Sequence, residues 1–148
     1  MLDLTQLDTS KTAETGVAVA LRHPVTHVPL GVRIQVAGVD SDTYRSHIRR
    51  QQNRRMEQAK RSRGQISISA EELENDALDL LVACTKGWES DIEEHGEKKT
   101  VSAIPCGEQG LLPCTPENVR KVYANPGFAW LREQVDAEIG DRSNFLGK

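Results

Sequence analysis

The sequence has few aromatic residues: two Phe, two Trp and two Tyr in 148 residues. Hydrophobic residues make up 37% of the chain. A core with so few large rings must be built mainly from Leu, Val and Ile, and such a core often gains further burial from a partner. At this length we expect one domain over residues 1–148.

Long apolar runs are also missing. The first ten residues, MLDLTQLDTS, have neither a basic start nor an apolar stretch, and no window is long enough to span a membrane. No secretory signal supports an oxidising compartment for the three cysteines, so we expect a reduced, cytoplasmic protein. Cys84 is expected to be buried, whereas Cys106 and Cys114 lie in a Gly- and Pro-rich segment and could pair if oxidised.

The residues that carry catalysis or bind metal do not cluster in the sequence. His23 and His27 flank a turn and could hold a metal with Cys106 or Cys114, but no second ligand pair has the short spacing of a zinc site. Ordinary loop histidines are the simpler interpretation. No glycine-rich turn follows a strand to hold a phosphate. We therefore expect a non-enzymatic protein with no catalytic, cofactor or metal site.

The clearest helix pattern begins at Ser69, which forms a capping box with Glu72. Asp76 and Asp79 are predicted to face water, and Gly87 is the expected stop. Apolar residues follow at helical spacing along the predicted buried face: Leu73, Ala77, Leu80, Leu81, Cys84 and Trp88.

Residues 16–37 have the pattern of an antiparallel β-hairpin. Val32, Ile34 and Val36 alternate with polar residues, which is the period of a half-buried strand. The connection over residues 23–30 is too long for a two-residue turn and should protrude. Because one hairpin is only marginally stable, its apolar face must lie on helices or on the sheet of another subunit.

These patterns together predict an α+β fold in which an N-terminal antiparallel β-hairpin is followed by about four helices. The remaining segments are expected to be a flexible lead-in (1–14), a helical pair (43–88), a long loop (89–114), and C-terminal helices with a tail (115–148).

A basic run over residues 45–63 is the strongest polar feature, and the acids dominate from 71 to 97. Tyr44, Ile48, Met56 and Ala59 give the basic helix a thin apolar stripe. The arginines suit either nucleic acid or an acidic surface in the same oligomer, and no aromatics interleave for base stacking. Five of them are predicted to bind a partner: Arg45, Arg49, Arg50, Arg54 and Arg55. Reversing the charges of Arg50 and Arg54 is expected to weaken association but not folding.

Three further residues are candidates for partner binding at the C-terminal end. Trp130 falls off the apolar stripe of its predicted helix, so it is expected at a contact surface. Phe145 and Leu146 lie in the tail, where they either fold back onto the core or contact a partner.

Several stretches occur in the same order as in a known group of proteins. They are residues 23–26 (HPVT), 29–31 (PLG), the basic segment 44–55, residues 80–88 (LLVACTKGW), 128–137 (FAWLREQVDA), 139–142 (IGDR) and 144–146 (NFL). In these the chain resembles the tail assembly chaperones encoded in the tail-gene modules of long-tailed bacteriophages and prophages. The resemblance covers most of the chain outside 89–113, and the segment 104–114 has no counterpart.

The resemblance implies a non-enzymatic role. Such chaperones coat the long helical tape measure protein in the host bacterial cytoplasm, keep it soluble and help recruit tail tube protein. They are absent from the mature virion. The implied partners are thus tape measure protein, tail tube protein and further copies of the chain, without nucleic acid, membrane or cofactor. The alternative is a structural or nucleic-acid-associated phage protein that uses residues 45–63.

Overall fold

The computed structural model describes residues 3–62 and 68–146. It begins with a 3₁₀ turn, Leu4–Leu7, followed by helix α1 (Ser10–Thr15) and strands β1 (Val17–Arg22) and β2 (Pro29–Val36). Next come two long helices, α2 (Asp42–Arg61) and α3 (Ala70–Cys84). Four strands follow: β3 (Thr85–Glu94), β4 (Glu97–Val101), β5 (Ala103–Pro105) and β6 (Leu111–Pro113). Helices α4 (Pro116–Ala124) and α5 (Ala129–Gly140) and a 3₁₀ turn, Arg142–Phe145, complete it.

The main sheet has four antiparallel strands in the order β1-β2-β3-β4, and β5 and β6 form a separate pair. In β2, Ile34 and Val36 are completely buried, whereas Gln35 between them is exposed. This alternation follows from the two-residue period of a strand and gives the sheet one apolar and one polar face.

Helices α3, α4 and α5 cover the apolar face of the sheet. Each contributes three buried side chains to one continuous core: Leu78, Leu81 and Cys84; Val119, Val122 and Tyr123; and Leu131, Val135 and Ile139. The core is therefore mostly aliphatic, as the composition predicts, with Tyr123 and Trp88 as its large rings.

The expectation of an α+β fold is confirmed, but the predicted order of elements is wrong. The hairpin of β1 and β2 is not the first element, because a 3₁₀ turn and α1 precede it. Residues 3–14 of the predicted flexible lead-in are therefore not merely a lead-in: Ala13 is completely buried, and its carbonyl accepts a hydrogen bond from Gly38 N–H. Gly16, with φ of +92°, joins α1 to β1 in a conformation that favours glycine.

The long loop predicted over 89–114 is also wrong, since most of it forms strands β3 to β6. The buried residues of β3, Trp88 and Ser90, alternate with more exposed neighbours, but charged residues hide this alternation in the sequence. The turn between β3 and β4 contains His95 and Gly96 at φ values of 53° and 80°. Two successive positive φ values are the geometry of a tight hairpin turn.

Helix α3 begins as predicted and ends earlier than predicted. Ser69 caps it by accepting a hydrogen bond from Glu72 N–H, but the helix ends at Cys84, and residues 85–88 pair with β2 instead. The buried face is also rotated from the predicted one: Leu73 and Ala77 are exposed, whereas Asp76 is buried. The reason is that α2 lies against the side of α3 that carries Asp76.

Both outer edges of the main sheet carry features that discourage further pairing. At the β1 edge, the Gln134 side chain accepts a hydrogen bond from Arg22 N–H and donates one to Arg22 C=O, both at 2.9 Å. The opposite edge strand, β4, is short and carries Lys98 and Lys99. Charged, short edge strands are a common protection against strand addition.

We predict that Leu81→Ala lowers the free energy of unfolding by about 2–5 kcal/mol, because the side chain is 5% exposed and its removal leaves a cavity. Leu73→Ala is the matched control on the same helix, where the side chain is 51% exposed, and should cost less than about 0.5 kcal/mol. Urea denaturation followed by circular dichroism measures both. Similar losses in the two variants would contradict this placement of α3.

Candidate protein-binding surfaces

Helix α2 is attached to α3 by polar contacts centred on Asp76. The Gln51 side chain is buried and its Nε2 donates to the backbone carbonyl of Asp76 at 2.8 Å. Arg54 donates to Asp76 Oδ1, and Arg55 Nη2 donates to Oδ2 at 2.6 Å. One carboxylate whose side chain is only 12% exposed thus binds two guanidinium groups.

This arrangement divides the predicted set of partner-binding arginines. Arg54 and Arg55 hold α2 to α3 and are engaged within the chain. Reversing the charge of Arg54 is therefore expected to affect folding as well as association, because a glutamate there would face Asp76. Arg63, the last cation of the predicted basic run, lies outside the described residues.

Arg45, Arg49 and Arg50 remain on the solvent side of α2. Arg45 forms an ion pair one turn away with Asp42 at 3.1 Å, and its side chain is still 58% exposed. Arg49 and Arg50 are exposed and make no ion pair within residues 3–62 and 68–146. Met56, predicted to be in the buried stripe, is 61% exposed. The outer face of α2, defined here as Arg45, Arg49, Met56 and Lys60, is therefore basic with one apolar side chain.

The hairpin tip, defined as residues 23–28, presents apolar side chains from an internally hydrogen-bonded loop. His23 Nδ1 accepts hydrogen bonds from the N–H groups of Val25 and Thr26 at 3.1 and 3.2 Å. His23 N–H also donates to Val28 C=O at 2.9 Å. Val25 and Val28 are 77% and 58% exposed. Because the loop backbone satisfies its own hydrogen bonds, these valines are presented in a preformed conformation.

Trp130 lies beside the hairpin tip and is partly exposed, as its position off the apolar stripe predicts. It lines a cleft of about 400 Å³ between α5 and the hairpin. Glu133 and Ala137 line the same cleft from α5, and Pro24 and His27 line it from the hairpin tip. We call this cleft the α5 groove.

The two tail residues behave differently. Phe145 is 1% exposed and its ring packs against Gly38, so it is a core residue and is not available to a partner. Leu146 is 37% exposed. The turn that carries Phe145 is held by Arg142, whose guanidinium binds both oxygens of Asp40 at 2.9 and 3.2 Å.

The histidines and cysteines are separated by the fold. In the part of the chain that the structure describes, no group of three His, Cys, Asp or Glu side chains is placed to hold a metal ion. Burial raises the pKa of Cys84 to about 12, which keeps the thiol protonated at neutral pH. Cys106 N–H pairs with Gly110 C=O at one end of the β5–β6 hairpin, and Cys114 follows β6 at the other end. The two cysteines are thus about 13 Å apart, too far for a disulfide.

A cluster of ion pairs on the polar face of the main sheet has no counterpart among the sequence predictions. Arg33 Nε donates to Glu89 at 2.7 Å, and its Nη atoms donate to Asp91 at 2.8 and 2.9 Å. Hydrogen bonds from Arg33, and then from Thr100, lower the pKa of Asp91. Register across the strands brings these residues together, so their sequence separation gave no signal.

Among the residues that the structure describes, none of the helices combines the length and the apolar character that crossing a membrane requires.

We predict that Asp76→Ala destabilises the protein by about 1–3 kcal/mol, because it removes the shared acceptor of two arginines and leaves their charges facing each other. Asp79→Ala on the same helix is the control: Asp79 pairs with Arg120, but both side chains are about 40% exposed, so the loss should stay below about 1 kcal/mol. Thermal unfolding of the two variants measures the difference. Equal losses of stability in the two variants would contradict the conclusion that Asp76 holds α2 to α3.

Gly38→Ala should also destabilise the protein, by about 1–3 kcal/mol, since a Cβ at this position would lie 2.7 Å from the Phe145 ring. Gly140→Ala, where no atom lies within 4 Å of the added carbon, should change stability by less than about 0.5 kcal/mol. Denaturant unfolding compares them. A neutral Gly38→Ala variant would mean that the tail does not pack on the core in this way.

The surfaces described here have no counterpart in a matching protein. No protein-family model matches the chain, and no curated protein or solved structure matches it either. The functional argument therefore rests on the hairpin tip, the outer face of α2 and the α5 groove.

Proposed function

We propose that this protein is a non-enzymatic phage tail assembly chaperone that binds the tape measure protein and helps tail tube assembly. It would act in the host bacterial cytoplasm and be absent from the mature virion. The proposal starts from the resemblance to such chaperones of residues 23–26, 29–31, 44–55, 80–88, 128–137, 139–142 and 144–146. The observation that best supports it is the hairpin tip, with its two exposed valines in a preformed loop.

A tape measure protein is long and helical, so a chaperone must cover the apolar side chains on its helices before the tail forms. Exposed valines suit this task because they are apolar and their β-branched side chains lose little conformational freedom on binding. Two such side chains provide a weak contact. Many copies along one long partner would then bind cooperatively through multivalency and still be released when tail tube subunits arrive.

Binding of nucleic acid through α2 remains the alternative, and it has less support. Two of the five candidate arginines, Arg54 and Arg55, are engaged by Asp76 within the chain, and its carboxylate offsets one of their two positive charges. The exposed Met56 lies among the remaining cations, which is more typical of a protein contact than of a phosphate contact. A DNA-binding protein would lose affinity steeply as salt concentration rises.

The experiment is co-expression with the protein encoded by the reading frame immediately downstream of this gene, which the proposal expects to be long and helix-rich. We expect the chain to keep that protein soluble and to co-purify with it. Val25→Asp with Val28→Asp should reduce the recovered complex at least ten-fold, since both carboxylates would have to be desolvated at the contact.

The matched control is Leu73→Asp with Leu111→Asp, which makes the same chemical change at two other exposed apolar positions. This variant should co-purify as the unmodified chain does. Loss of the complex in both variants would show a general effect of added charge. A tape measure protein that is no more soluble with the chain than without it would overturn the proposed function.

A further inference from the structure

Two surfaces on opposite parts of this chain are complementary in charge and shape. On α2, residues 49, 56 and 60 lie on one side of the helix, since these spacings bring side chains to the same face. Met56 therefore sits between two cations, Arg49 and Lys60. The result is a basic, convex helix face with an apolar centre.

The α5 groove has the opposite properties. Trp130, Glu133 and Ala137 follow the i, i+3, i+7 spacing and lie on one side of α5. Glu133 and Glu138 give the lining two carboxylates against the single guanidinium of Arg22, so its net charge is negative, while Ala137 leaves room for close approach. Trp130 provides an apolar ring at one end. This is a concave, acidic surface with an apolar contact point.

These surfaces do not meet within one molecule. Helix α2 packs against α3 and α1, whereas α5 packs against α4 and the first two strands. Met56 remains 61% exposed, and Glu133 is exposed in the groove. Their complementarity can therefore be used only between two molecules.

We propose that the outer face of α2 docks into the α5 groove of a second copy of this chain. Arg49 then faces Glu133 and Glu138 across the contact, and the Met56 thioether lies against the Trp130 ring. Sulfur–aromatic contacts of this kind are favourable, and complementary charges select this register over others. Pro24 and His27 of the hairpin tip line the groove, but Val25 and Val28 do not, so the contact does not use the two valines that are proposed to bind the tape measure protein.

The proposed contact joins two different surfaces, so it is heterologous. Each added copy leaves one α2 face and one α5 groove free, and association continues unless a ring closes. A single helix in a groove is at the small end of protein interfaces, so each contact should be weak. Because it joins exposed charges, it should also weaken as salt concentration rises.

The test is sedimentation velocity of the full chain over a range of concentrations at low salt. We expect the unmodified chain to self-associate reversibly. Arg45→Glu with Arg49→Glu, the basic-face variant, should raise the concentration for half-association at least ten-fold. Glu133→Arg with Ala137→Arg, the groove variant, should have the same effect because it reverses the charge and fills the groove.

Mixing the two variants gives the decisive result. The basic-face variant keeps an intact groove, and the groove variant keeps an intact α2 face, so a mixture should form one native contact and stop at a one-to-one complex. The charge-matched control is Lys98→Glu with Lys121→Glu, two exposed cations outside both surfaces, and it should associate like the unmodified chain.

The proposal is overturned if the unmodified chain stays monomeric up to about 1 mM, a concentration that would detect contacts as weak as about 4 kcal/mol. It is also overturned if either variant associates normally, or if the mixture fails to form the complex. Both variants should still hold the tape measure protein, since their hairpin tip is unchanged. If Val25→Asp with Val28→Asp no longer binds the tape measure protein but self-associates normally, the two activities are separate.

Discussion

The completely buried side chains of β2 are the constraint on which the rest of this structure depends. Ile34 and Val36 lie at the centre of a four-stranded sheet whose other face is polar, so one layer of helices must cover them. Three helices contribute to that cover, and Phe145 of the tail packs against Gly38, just after β2. With only six aromatic residues, the chain achieves this mostly with aliphatic side chains fitted closely together.

Charge is divided in this molecule between holding the fold together and presenting a surface. Asp76 binds two arginines of α2, and Arg33 binds two carboxylates across the sheet. The other cations of α2 remain exposed. One basic helix thus has a structural side and a free side, which composition alone cannot separate. The proposed contact between copies uses only the free side.

Sequence patterns predicted the elements that local rules control. The cap at Ser69, the alternation in β2, and the partial exposure of Trp130 are all present in the structure. The prediction failed where tertiary partners override local signals. Asp76 looked like a solvent residue because its two arginines lie more than twenty positions away, and β3 looked like a loop because charged residues cover its outer face.

The candidate surfaces could be predicted only in part, for the same reason. The exposed arginines were recognised, but their division between Asp76 and solvent required the packing of α2 on α3. The hairpin tip was expected to protrude, yet nothing in the sequence indicated that His23 would organise it. The α5 groove joins residues more than a hundred positions apart, and no local pattern can reveal such a contact.

The amide of Gln134 at the edge of β1 has a consequence for how concentrated this protein can become. It occupies the backbone groups of Arg22 that another extended chain would otherwise use, and lysines occupy the far edge on β4. Sheets left open at both sides are templates for fibre growth. Such protection opposes fibre growth when the protein is concentrated, and it favours contacts between copies that use side chains.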